Sequence, residues 1–141
     1  MKSRETLIRL RRFDVDEHQQ KVGDIEAMIN DFTQMATDLE RQIEVEQERA
    51  GVSDVNHYAY PTFAKAAIQR RENLMASIGD LELKLESARE ELAEAFEELK
   101  KVELIQERDT ERNRVYASAI EQSELDDIGR MSDMGLLGKP S

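Results

Sequence analysis

Cysteine and tryptophan are absent from the 141 residues, proline occurs twice, and aromatic residues make up only 5%. Without cysteine there is no disulfide framework, no thiolate nucleophile and no thiolate metal site. A compact globule needs bulky apolar side chains to fill its centre at near-crystalline density, and this chain is poor in them. No apolar run approaches the ~20 residues of a membrane span. The start, MKSRETLIRLRRF, is too charged for a signal peptide. A soluble cytoplasmic chain with no direct membrane insertion is therefore expected. No HExxH, glycine-rich phosphate loop or nucleophile motif occurs, and no cofactor, metal site or catalytic residue is expected.

Charge is abundant instead. Charged residues make up 36% of the chain, and the net charge is −11. That balance argues against a nucleic-acid partner, because such binding draws most of its affinity from neutralising phosphates. The apolar residues are mainly Leu, Ile, Val, Ala and Met, set among Glu, Lys and Arg. This is the composition of a long helix or coiled coil.

The spacing agrees. Ile8, Val15, Val22, Ile29, Ala36, Ile43 and Ala50 recur every seven residues. Arg4, Arg11, His18, Ile25, Phe32, Leu39 and Glu46 interleave with them, apolar in the middle of the run. That is a heptad repeat, and it predicts one helix over about 3–50. In the second half, Leu74, Ile78, Leu81, Leu85, Ala88, Leu92, Ala95, Leu99 and Val102 alternate by four and three. The frame then meets Gln106, Asp109 and Asn113, while Ile105, Val115 and Ala119 suggest a displaced apolar face. A change of heptad phase is expected near 105–115, with the helix spanning about 61–128 and a disordered tail over 129–141.

Between the helices lies AGVSDVNHYAYP, residues 50–61, with two of the three tyrosines. Gly51 can end a helix in a left-handed conformation. Ser53 and Asp54 favour turns. Pro61 suits the first turn of the next helix, and Tyr60 before it is pushed out of helical geometry. The chain should reverse over about 51–60. Pairing the two heptad frames about a pivot at Val55 sets Ile29 against Leu81, Ile25 against Leu85, Val22 against Ala88 and Val15 against Ala95. One pivot aligning two independently read frames favours an intramolecular hairpin over a parallel dimer. The fold class expected is all-α, a long two-helix antiparallel coiled-coil hairpin over 1–128, roughly 70 Å long at ~1.5 Å per residue.

Several features have both a structural and a functional reading. His18 falls in the seam opposite Leu92, as a tolerated polar residue or as a ligand or switch. The acidic run EELAEAFEELKK reads as a solvated face with i to i+4 ion pairs. Lys2, Arg4, Arg9, Arg11 and Arg12 lie beside Lys100, Lys101 and Arg108 in the hairpin register, so the open end of an acidic rod is basic. Helix-dipole preference accounts for cations at a helix C-terminus but disfavours them at an N-terminus. At the closed end, Val52, Val55, Tyr58, Tyr60 and Phe63 either plug the turn or mark a contact site.

Three stretches, SRETLIRLRRFDVDE, AGVSDVNHYAYPTFAKAA and AEAFEELKKVELIQERDTER, resemble the flagellar export protein family FliJ in its alphaproteobacterial form, over about residues 1–120. The resemblance implies an antiparallel hairpin similar to the central stalk of rotary ATPases. It also implies a non-enzymatic role in flagellar type III export, peripheral at the cytoplasmic face of the inner membrane. The partners implied are the hexameric flagellar export ATPase, the cytoplasmic domain of the export-gate membrane protein, and export chaperones. The end with both termini would enter the ring, which points to Arg4, Arg9, Arg11 and Arg12. The KKVELIQERD match adds Lys100, Lys101, Glu103, Glu107 and Arg108. Val55, Tyr58, Tyr60 and Phe63 would be left to face the gate or a chaperone. The alternative is a chaperone-like coiled-coil hairpin that binds export substrates or chaperones. An enzyme would need an enclosed pocket, which a two-helix rod does not offer.

Overall fold

The computed structural model describes residues 2–135. It contains two helices, α1 (Lys2–Ala50) and α2 (Thr62–Asp133), packed against each other along α1. The heptad frames explain the packing. Every buried or half-buried residue of α1 belongs to the two interleaved sets, apart from Asp14 and Gln47. In α2, all nine positions from Leu74 to Val102 are buried or half-buried.

The core is a thin seam in three clusters. Val22, Ile25, Leu81 and Ala88 form the middle one, with Ile29, Phe32, Leu85 and Leu92 packed around them. Val15, Ala95 and Leu99 form the cluster toward the open end. Leu39, Ile43 and Ala67 form the one toward the closed end. Ion pairs flank the seam in the same register: Arg12–Glu103, Lys21–Glu91 and Arg89–Glu26 join the helices at 3.4, 3.2 and 3.6 Å. As the α1 number rises, its α2 partner's number falls, which is the signature of an antiparallel pair. These pairs are exposed and contribute little to stability; the apolar seam carries the fold.

Polar local bonds make the reversal. Gly51, at φ 66, ends α1 in the left-handed region, and its N–H donates to the Gln47 carbonyl at 2.9 Å. The Asp54 side chain accepts from the Asn56 N–H at 3.0 Å, and the His57 Nδ1 accepts from the Ala59 N–H at 3.0 Å. Pro61 caps α2 with extended geometry, one residue ahead of the first helical turn where the sequence placed it.

Two expectations about the second helix are corrected. The heptad frame does not change phase near 105–115: Gln106 and Asp109 stay half-buried in the original frame, while Ile105 and Val115 are exposed. The polar residues mark the end of the partner, not a new face. From Thr110 to Gly135 every residue is exposed, because α1 begins at Lys2 and covers nothing beyond. The helix also continues to Asp133, so residues 129–133, assigned to a disordered tail, are helical. Gly129 inside an exposed helix costs only about 1 kcal/mol relative to alanine, and the stop comes at Gly135, at φ 74. Residues 136–141 of that tail lie outside the described residues.

Candidate functional site

The hairpin has no enclosed centre, so its distinct surfaces are its ends. At the open end, α1 brings Lys2, Arg4, Arg9, Arg11 and Arg12 beside the α2 segment from Lys100 to Arg108. Four of these eight cations, Arg4, Arg12, Lys100 and Lys101, already have partners. Arg4 pairs with Asp109 across the two helices, and Arg112 reaches the same carboxylate at 4.0 Å. Glu103 receives Arg12 at 3.4 Å and Lys100 at 3.9 Å. Lys101 pairs with Glu98 at 3.3 Å. Arg9, Glu107 and Arg108 are exposed and take part in none of these pairs.

The expected basic cluster is therefore two populations. Arg4 and Arg11 are half-buried in the seam. Arg9 and Arg108 are exposed and form no ion pair among the described residues, and Lys2 is exposed at the start of α1. The seam at this end is incompletely satisfied: the Arg11 Nε and the Gln106 Oε1 are buried without a hydrogen-bond partner among the described residues. Such groups carry a desolvation penalty. Beyond it, residues 110–133 project as a single helix, roughly 35 Å long at ~1.5 Å per residue. Arg114 beside Glu111 holds that carboxyl below its ordinary range.

The closed end divides the four residues singled out there. Tyr60 is only 8% exposed, and its hydroxyl accepts a hydrogen bond from the Gln47 Nε2 at 2.9 Å. It is a structural plug, and its side chain is packed rather than presented. Tyr58 is 95% exposed and stacks on His57, with ring centroids 4.6 Å apart. Phe63 is exposed and, with Val45, Asp38, Arg41, Gln42 and Glu46, lines an open groove of about 470 Å³. Val55 is exposed on the turn. Sequence reasoning missed Val45, whose heptad position faces away from the seam; it lines the groove with Phe63 from across the corner.

His18 sits half-buried in the seam as expected. Its Nδ1–H donates to the Asp14 carbonyl at 2.7 Å, and Glu91 lies 3.9 Å from its Nε2. Among the described residues no group of His, Asp and Glu side chains is arranged to hold a metal ion, and no helix is long and apolar enough to cross a membrane.

Compared with known families, the chain matches the model of the flagellar FliJ protein over residues 1–134. No curated protein and no solved structure matches it.

Proposed function

The chain belongs to the flagellar FliJ family, a non-catalytic component of flagellar protein export, and on that premise we propose that it is the stalk and coupling component that docks in the export ATPase ring by its open end. The family match across nearly the whole hairpin carries this reading. A rod with its termini together at one end can enter a ring as a rotary stalk does, and the single-helix projection of α2 makes the tip slimmer than the body. The charge at that end supports orientation. Arg9 and Arg108, exposed where the paired helices end and the α2 projection begins and in no ion pair among the described residues, offer positive charge to an acidic surface that reaches past the projection, since charge complementarity sets encounter rate and orientation.

The closed end is then left for the export gate or for chaperones. Tyr58, Phe63 and Val55 supply the exposed apolar contact there. The test is a paired binding assay with purified ATPase and gate domain. Arg9→Gln with Arg108→Gln should weaken ATPase capture and spare the gate. Tyr58→Ala with Phe63→Ala should do the reverse, with circular dichroism unchanged in both. Normal ATPase capture by the arginine variant, or its loss in the closed-end variant alone, would show that the two ends are assigned the wrong way round.

A further inference from the structure

His18 occupies a half-buried seam position between two apolar clusters, the one with Val15 and Ala95 and the one with Val22 and Ala88. Leu92 packs against both clusters. A half-buried imidazole there needs partners for two ring nitrogens. Nδ1 lies 2.7 Å from the Asp14 carbonyl oxygen, which only accepts, so Nδ1 carries the proton. In the neutral ring Nε2 is then a bare acceptor. It faces a second acceptor, the Glu91 carboxylate of α2, at 3.9 Å. Neither has a proton to offer the other. Protonation of the ring reverses this. Nε2 becomes a donor, and His18 gains an ion pair across the seam. Nδ1–H keeps its carbonyl and lies 3.4 Å from the Asp14 carboxylate.

The surrounding charge favours the same form. Asp14 on α1 and Glu91, Glu94, Glu97 and Glu98 on α2 line one open groove with His18. Lysines offset part of that charge: Lys21 reaches Glu91 at 3.2 Å, and Lys101 reaches Glu98 at 3.3 Å. Five carboxylates against these two lysines leave the groove negative. A positive imidazolium is therefore attracted from both helices. Lys21 stands on the same carboxylate oxygen of Glu91 and opposes it in part.

We propose that His18 is a proton-operated clasp between the two helices, closed when the imidazolium pairs with Glu91 and released when the ring is neutral. The charged ring meets these carboxylates only in the folded hairpin. Its stabilisation is therefore present in mild acid and is lost as pH rises through the range where imidazoles titrate, around 6.5. The clasp acts on the half of the seam toward the open end, where Val15, Ala95 and Leu99 form the buried cluster. It stands on the geometry of the seam and does not depend on the ring reading.

The test is thermal melting of the full chain, followed by circular dichroism at about pH 6 and about pH 8, on either side of the imidazole range. The wild type should melt a few degrees higher at the lower pH, the scale of one partly exposed ion pair. The chain has two histidines, so His57 serves as the control. His18→Gln should lose the difference, and His57→Gln should keep it. Glu91→Ala changes an exposed position, leaves the seam packed and should shrink the difference. His18→Lys is charged at both pH values and should melt alike at both. Nitrogen-15 NMR of the imidazole gives a second readout: at about pH 8 the neutral ring of His18 should carry its proton on Nδ1. Equal melting of the wild type at both pH values, a difference that survives in His18→Gln, or a neutral ring protonated on Nε2 would overturn the proposal.

Discussion

The Gln47 side chain donates to the Tyr60 hydroxyl at 2.9 Å, joining the last turns of α1 to the residue that precedes the Pro61 cap of α2. This bond closes the hairpin where the backbone ladder is interrupted. Tyr60 is also the one buried aromatic of the corner, so ring and hydroxyl can be tested apart. Tyr60→Phe should cost about 0.5–1.5 kcal/mol, the net worth of an ordinary hydrogen bond. Tyr60→Ala should cost about 3–5 kcal/mol, as for a large aromatic core truncation. Thermal melts of both variants check the order; equal effects would mean that the ring contributes nothing.

The antiparallel register makes a crosslinking prediction. Val22 and Ala88 belong to the same buried cluster. Val22→Cys with Ala88→Cys should oxidise within one chain in dilute solution. Val22→Cys with Leu99→Cys should not, because Leu99 belongs to the next cluster along the rod. Non-reducing electrophoresis distinguishes the outcomes.

Stability should follow the seam and ignore the outer faces. Leu81→Ala removes a buried side chain from the middle cluster and should cost about 2–5 kcal/mol. Leu83→Ala, two residues on but 68% exposed, should change stability by no more than about 0.5 kcal/mol. Denaturant titration of the pair measures the contrast.

Gln106 occupies a seam position with its Oε1 buried and unpartnered. Gln106→Leu removes an unsatisfied polar group and adds apolar packing. It should stabilise the hairpin by about 1–3 kcal/mol. A lower melting temperature would show that the amide is satisfied in solution.

Much of this architecture was readable from residue spacing. The interleaved sets from Arg4 to Glu46 name the buried face of α1 almost residue for residue, and the Val55 pivot pairs Val22 with Ala88 and Val15 with Ala95 as the clusters do. The misreading at Gln106 and Asp109 has a physical origin. Heptads report which face would be covered, not where the covering helix stops. Polar residues in frame therefore looked like a phase change when they marked the end of α1. The disordered tail expected from 129 likewise starts too early, since Gly129 in an exposed helix is a small penalty rather than a stop. The two ends were less legible. Which arginines are paired depends on side-chain reach across the seam, as Arg4 to Asp109 and Arg12 to Glu103 show. The Gln47–Tyr60 bond, which takes Tyr60 out of the candidate contact surface, leaves no periodic trace.

The orientation of the rod in the export apparatus is tested most directly by photo-crosslinking in flagellated cells. A photoreactive amino acid at Arg9 samples the open end, and one at Tyr58 samples the closed end. The account predicts an adduct with the export ATPase from position 9 and none from position 58. An ATPase adduct from position 58, with none from position 9, would contradict it.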